Sequence, residues 1–163
     1  MPRGETTSSG ESARTAKLVC FLLHGQEYAA PIGEVVETLA VRPITRVFLT
    51  PPWLAGIVNL RGDVVAVLDL ARLLGMAETL ITEDSRIVLA RHQGTRAGFL
   101  VDGLAELRIL DLGLLESPPA TLSPEVASLL RGIVTVPGGV VRILDLTALF
   151  ESDKLRSLGG AAT

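Results

Sequence analysis

The sequence predicts a mainly β fold made of two small antiparallel barrels in tandem, each with about five short strands. The first observation is an internal repeat. The phrase GIVNLRGDVVAVLDL at 56–70 returns as GIVTVPGGVVRILDL at 132–146, with nine of fifteen positions identical at an offset of 76. The second observation is that the apolar runs of the chain are short, rich in β-branched residues and separated by glycine turns, as in hairpins. One such barrel buries little apolar surface alone, so we expect an apolar seam between the two.

Composition narrows the class of protein. Hydrophobic residues make up 48% of the 163 residues, yet charges and glycines interrupt every apolar run, and a membrane span needs roughly 20 apolar residues. The net charge of -3 argues against a nucleic-acid partner, which requires a basic face. The single cysteine, Cys20, excludes an internal disulfide and fits a reducing compartment. Residues 1–16 are rich in Ser, Thr, Gly and Glu. We expect a flexible tail there, not a signal peptide, and a cytoplasmic protein without direct membrane insertion.

The first barrel is expected over about residues 17–80. Its predicted elements are two strands within 17–32 around a turn at His24–Gly25, a helical turn or irregular strand entry at 33–39, strands at 56–60 and 64–70, and a short helix from Ala71. Valine, phenylalanine and tyrosine favour the strands, and glycine favours the turns. Pro51 and Pro52 end any regular element before the repeated phrase.

The second barrel is expected over about residues 85–150, because the same layout starts again. Residues 86–101 repeat the strand, glycine turn and strand of 17–32 at an offset of 69, with Gly94 at the position of Gly25. The recurrence of a whole hairpin indicates that the repeat extends well beyond the quoted phrase.

The second copy is longer by seven residues, because the offset grows from 69 to 76. We expect the insertion within 111–131. There, Ser123–Pro124 predicts the start of a helix, since serine is a good N-cap and proline suits the first helical position. Apolar spacing then predicts a short amphipathic C-terminal helix over about 147–158.

The two copies of the phrase differ around their turns. Gly62 and Gly138 occupy the turns themselves, where a positive φ favours glycine. Asn59 and Arg61 flank the first turn, and the second copy has threonine and proline at their positions. An arginine can bind a carboxylate through two parallel hydrogen bonds, so Arg61 is either an ordinary surface residue of the turn or a binding residue that the second copy lacks.

Residues that resemble catalytic or metal-binding groups have structural interpretations. Asp69 and Asp145 are related by the repeat, as in an aspartic protease pair. Each lies within Leu-Asp-Leu at a strand end, where a carboxylate caps backbone N–H groups. His24 and His92 lack neighbouring ligands at metal-binding spacing, and Cys20 lies in an apolar strand. We therefore expect no catalytic residue, no metal and no cofactor.

A wider set of residues carries a family resemblance. It comprises Gly56 to Gly62 followed by Val64, Val67, Asp69 and Leu70; the stretch from Phe21 to Ile32 with Tyr28; Val35, Val36 and Glu37; Thr45 and Pro51; and Val101, Asp102 and Gly103. In these positions, over about residues 17–150, the chain resembles the CheW family of chemotaxis coupling proteins. Asp63 gives the turn an acidic residue at a position where that family varies.

The resemblance implies two five-stranded SH3-like barrels and a non-enzymatic adaptor. Such an adaptor links the cytoplasmic tip of chemoreceptors (methyl-accepting proteins) to the regulatory domain of a CheA-type histidine kinase, and so reaches membrane-associated receptor arrays through its partners. The residues implied in partner binding are Arg61, Val35, Val36, Glu37, Asn59 and Gly56. The alternative hypothesis is a small two-barrel enzyme or ligand-binding protein that uses the seam as a pocket. It requires titratable groups that converge there, and the sequence supplies few.

Overall fold

The structure, a computed structural model, describes residues 14–162, with side chains through residue 158. The strands are β1 Thr15–Leu23, β2 Gln26–Pro31, β3 Val35–Ala40, β4 Leu54–Leu60, β5 Asp63–Asp69, β6 Arg86–His92, β7 Thr95–Val101, β8 Gly103–Leu104, β9 Arg108–Asp111, β10 Leu130–Val136 and β11 Gly139–Leu144. The α-helices are α1 Leu70–Leu73, α2 Pro124–Ala127, α3 Leu146–Glu151 and α4 Asp153–Ala162, and 3-10 turns cover Ile32–Glu34 and Leu112–Leu114.

The mainly β prediction is confirmed, and the described strands form two sheets. The first sheet has the order β10-β11-β2-β1-β8, with β9 also pairing with β1. The second sheet has the order β3-β6-β7-β5-β4. Each sheet therefore contains a hairpin from one half of the chain and further strands from the other half. Closure of either sheet into a complete SH3-like barrel remains a prediction.

The predicted domain ranges stay a prediction, and the exchange of hairpins between the sheets crosses them. The ranges 17–80 and 85–150 do not correspond to the two sheets, because the β1–β2 hairpin joins strands of the second half and the β6–β7 hairpin joins strands of the first. The exchange is made by two parallel pairings, β2 with β11 and β5 with β7, and by antiparallel pairings of β3 with β6 and of β1 with β8 and β9. Turn residues specify which strands form a hairpin, but they do not specify which distant strand that hairpin joins.

The apolar residues separate into three clusters. The largest contains residues of both sheets and of the helices, as a shared apolar seam requires; its members include Phe21, Tyr28, Leu68, Val88, Phe99, Leu144 and Phe150. Two smaller clusters each lie within one sheet. Alternation along the strands explains the division: on β5, Val65 and Val67 belong to the second sheet's own cluster, whereas Leu68 belongs to the shared one.

The ends of the chain differ from the prediction in detail. β1 begins at Thr15, so the last two residues of the predicted tail belong to a strand, and residues 1–13 lie outside the described residues. The single helix predicted over 147–158 is two helices, α3 and α4, because Ser152 is extended, with φ -65° and ψ 154°. The predicted N-cap is confirmed, since the Ser123 hydroxyl accepts a hydrogen bond from the Val126 amide at 3.2 Å.

Candidate partner-binding surface

The hairpin between β4 and β5 explains the two residues that distinguish the first copy of the repeat. Arg61 and Gly62 have φ of 51° and 89°, which is the pattern of a type I′ turn. The side-chain oxygen of Asn59 accepts a hydrogen bond from the Gly62 amide at 3.0 Å, so Asn59 braces the turn. In the second copy, Gly138 keeps a φ of 89°, but the proline ring of Pro137 excludes a positive φ. The first turn alone therefore presents a long cationic side chain.

Arg61 forms a two-point ion pair with Glu37. Its Nη1 donates to Oε1 at 2.7 Å and its Nη2 donates to Oε2 at 3.0 Å. The hydrogen bonds from Arg61 hold the pKa of Glu37 below its ordinary value, and the charges of Arg42 and Arg96 add to this effect. The Arg61 side chain remains 68% exposed, against 28% for Glu37, so a guanidinium oriented by one carboxylate is presented to solvent.

The Arg61–Glu37 pair also shows that the second sheet is strongly curled. Glu37 lies on β3, and Arg61 follows β4, and these two strands are the opposite ends of the sheet order. Beyond β3, Thr45 exchanges two backbone hydrogen bonds of 2.8 Å with Ile57 of β4. The two edges of the sheet therefore approach each other, and the ion pair lies across this junction.

Gly56 is required by that same junction. A β-bulge separates Leu54 from Gly56, and a Cβ atom at Gly56 would overlap the Thr45 carbonyl oxygen and lie 2.7 Å from Cγ2 of Ile44. Gly132, its repeat equivalent, meets the backbone carbonyl of Glu116 in the same way. The structure therefore assigns Gly56 to backbone packing beneath the surface, rather than to the surface itself.

The six predicted partner-binding residues thus take different places. Arg61, Asn59 and Glu37 are brought together at the hairpin. Val36 is 42% exposed beside Glu37, in the bulge of β3, whereas Val35 packs against the shared cluster. Arg61, Asn59, Glu37 and Val36 form a charged and apolar surface. The other two residues, Val35 and Gly56, pack inside the fold and position this surface.

Two apolar surfaces consist of residues that the sequence did not single out for binding, although an apolar seam between the two halves was expected. The first, here called the seam groove, lies between one face of the paired strands β5 and β7 and the C-terminal helices α3 and α4. It has a volume of about 620 Å³. Its apolar lining is Val64, Ala66, Leu68, Ala97, Phe150, Leu155 and Leu158, and polar side chains including His92, Arg96 and Arg156 complete it. The alternation on β5 was a signal for this face, since Val64, Ala66 and Leu68 share one side of the strand.

The second surface, here called the apolar loop patch, comprises Val47, Phe48, Leu49, Leu80 and Ile81. Phe48 and Leu49 are 88% and 90% exposed, which is unusual for adjacent large apolar residues. Leu49 has a φ of 60°, a strained conformation for a leucine. The signal for this patch was the apolar pair next to the two prolines, in a stretch that otherwise predicts only a loop.

Beneath the loop patch, a buried carboxylate holds the connector between the two halves. Asp69 accepts hydrogen bonds from the amide and hydroxyl of Thr79, each at 2.9 Å, and from the Arg72 amide at 3.4 Å. Asp145 likewise accepts from the Ala148 amide at 2.9 Å. Both carboxylates cap backbone N–H groups, as predicted, and the Arg72 and Ala148 amides lie in the first turns of helices α1 and α3.

The histidines and the cysteine have separate structural partners. His24 Nε2 lies 2.8 Å from the Ala77 carbonyl oxygen, and His92 Nε2 lies 3.0 Å from Oε2 of Glu151. Burial is the main factor that raises the pKa of Cys20 to about 12, which keeps the thiol protonated and unreactive. Among the described residues, no group of three His, Cys, Asp or Glu could hold a metal ion, and no helix has the length and apolar character to cross a membrane.

Comparison with known proteins agrees with this geometry. The crystal structure of the scaffolding protein TtCheW from Thermoanaerobacter tengcongensis superposes with a TM-score of 0.76 and 31% identity, covering 85% of this chain and 90% of that one. Chemotaxis protein CheW of Bacillus subtilis is 27% identical over 86% of this chain and 90% of its own. That of Helicobacter pylori is 29% identical over 88% and 86%. The family described as the CheW-like domain matches residues 17–154. The chain belongs to the CheW family and is a non-enzymatic chemotaxis scaffold.

Proposed function

We propose that this chain couples chemoreceptors to a CheA-type histidine kinase, as a cytoplasmic member of membrane-associated receptor arrays. The observation that carries the proposal is that one chain exposes two separate apolar surfaces, the seam groove and the apolar loop patch, which have no residue in common. An adaptor must bind two partners at once, and two separate surfaces permit this without competition.

The seam groove is proposed to bind the helical tip of the receptor. An amphipathic helix binds in an apolar groove through side chains on one of its faces. Val64, Leu68 and Leu155 supply the apolar floor and wall. Arg156 lines the groove and makes no ion pair with another described residue, whereas Arg96 is bound to Asp63 at 2.8 Å. A helix with an acidic residue beside its apolar stripe matches this lining.

The apolar loop patch is proposed to bind the regulatory domain of the kinase. Phe48 and Leu49 project almost fully into solvent, and a buried aromatic or aliphatic anchor is the usual centre of a protein interface. The anchoring of Thr79 by Asp69 fixes the neighbouring Leu80 and Ile81. This part of the patch is thus held in place before binding, which lowers the entropy cost of association.

The exposed surface around Arg61 is proposed to support coupling between the seam groove and the apolar loop patch. Arg61, Glu37, Asn59 and Val36 lie at the junction of the sheet edges, and an exposed guanidinium has donors available for a partner's carboxylate. The ion pair with Glu37 holds the guanidinium in one orientation. This orientation favours a partner carboxylate in a matching position over nonspecific attraction to any negative charge.

Co-sedimentation with a receptor cytoplasmic fragment and the cognate kinase tests the proposal. The expected result is a ternary complex that weakens as salt rises, because charged anchors are screened. A Phe48→Ser/Leu49→Ser variant should keep the receptor and lose the kinase, and Val64→Arg should do the reverse. Sedimentation of neither partner by the wild-type chain, with every receptor and kinase of its source, would reject the proposal.

A further inference from the structure

The internal repeat gives the β5 and β7 positions of the seam groove equivalents on the opposite sheet. Strand β5 corresponds to β11 at an offset of 76, and β7 corresponds to β2 at an offset of 69. Both pairs of strands are parallel neighbours. The two sheets therefore present two related faces to the shared core.

The centres of the two faces carry side chains of different size. In the second sheet, Val67 lies opposite Gly98, so Ala66 and Ala97 are neighbours one residue earlier, and both line the seam groove. In the first sheet, the equivalent positions hold Arg142 and Tyr28, which lie opposite each other. Two methyl groups on one face thus correspond to a guanidinium and a phenol ring on the other.

Arg142 and Tyr28 fill the face that they share. The guanidinium carbon of Arg142 lies 5.6 Å from the centroid of the Tyr28 ring, which is the distance of a cation–π contact. Tyr28 is only 5% exposed. The arginine covers the tyrosine, and the tyrosine packs into the shared cluster, so no comparable space remains for a partner's side chains at this point.

We propose that Ala66 and Ala97 are specificity-determining residues, which open the seam groove on one sheet while Tyr28 and Arg142 close its equivalent on the other. The chain then binds one receptor helix, on one side, although its two halves are related by the internal repeat. The adaptor consequently binds the receptor through the second sheet and not through the first. This inference rests on the proposed binding of the receptor in the groove.

The test transfers the closing pair into the open groove. The double variant Ala66→Arg/Ala97→Tyr copies the pair found in the first sheet, and titration calorimetry with a receptor cytoplasmic fragment measures its effect. We expect binding to weaken about tenfold or more, because the side chains occupy the space of the helix. Val140→Arg, which adds a cation at the repeat equivalent of Val64 outside the groove, serves as the control and should bind within about twofold of the wild type.

Thermal unfolding separates a blocked groove from a damaged fold. If the double variant fails to fold, Ala66→Arg alone, at a half-buried position, is used with the same measurement. A folded variant that binds as tightly as the wild type would overturn the inference. Failure of the proposed function has a different signature, since the wild-type chain itself would then not bind the receptor fragment.

Discussion

The guanidinium of Arg61 and the carboxylate of Glu37 form two parallel hydrogen bonds of 2.7 and 3.0 Å between the edges of one five-stranded sheet. The two residues are 24 positions apart and come from the two ends of the strand order. Their pairing therefore depends on the curl of the sheet, and it links a surface residue that was predicted to bind partners to the geometry of the fold.

Reversal of one charge of this pair should impair coupling, and reversal of both should restore part of it. Arg61→Glu places two carboxylates together, which displaces the side chain of Glu37. In co-sedimentation with receptor and kinase, we expect Arg61→Glu to lose most of the ternary complex and Arg61→Glu/Glu37→Arg to recover a measurable fraction. Unchanged assembly by the single variant would show that Arg61 has no role in coupling.

Acid should destabilise the protein partly through Glu27. Hydrogen bonds from Arg108, at 2.6 and 3.2 Å, are the main cause that lowers the pKa of Glu27 below its ordinary value of 4.5. The stabilisation is therefore present above the ordinary carboxyl pKa and is lost as the pH falls through the lowered one. Urea unfolding across this acidic range should show a smaller loss of stability for Glu27→Gln than for the wild type. Equal losses would contradict this role.

Gly56 should tolerate alanine less well than Gly62. At Gly56 a Cβ meets the Thr45 backbone, whereas at Gly62 nothing lies within 4 Å and only the φ of 89° opposes a side chain. We expect Gly56→Ala to lower the free energy of unfolding by about 3 kcal/mol and Gly62→Ala by about 1 kcal/mol. Urea denaturation of both variants measures the difference, and the reverse order would contradict the close approach of the two backbones.

The repeat supplies a matched control for the seam groove. Val64 lines the groove, and Val140 is its repeat equivalent outside it. Val64→Arg should weaken binding of a receptor fragment by about tenfold or more, because it places a charge on an apolar contact surface. Val140→Arg should leave this binding unchanged. Equal effects of the two substitutions would indicate a general charge effect instead of a specific groove.

The apolar loop patch should matter for the kinase and little for stability. Phe48 and Leu49 are almost fully exposed, so replacing both by serine removes few internal contacts. We expect the melting temperature to change by no more than about 2 °C, while the affinity for the kinase regulatory domain falls by about tenfold or more. Ile109→Ser, at an exposed apolar position on β9, is the control for general loss of surface hydrophobicity. A similar loss in that variant would argue against a specific patch.

The sequence by itself determined the local elements of this protein. The turn at Arg61–Gly62, the caps formed by Asp69, Asp145 and Ser123, and the hairpins around Gly25 and Gly94 all depend on residues within a few positions of one another. Their conformations follow from the φ that each residue permits and from side chains that reach nearby amides.

Only the tertiary structure decided how these elements combine. The exchange of hairpins between the sheets, the contact of Arg61 with Glu37 and the open seam groove at Ala66 and Ala97 all join strands that are distant in the chain. Local propensity is the same whether a hairpin pairs within its own half or with the other. The choice is made by the burial of the shared apolar cluster, which is a property of the whole chain.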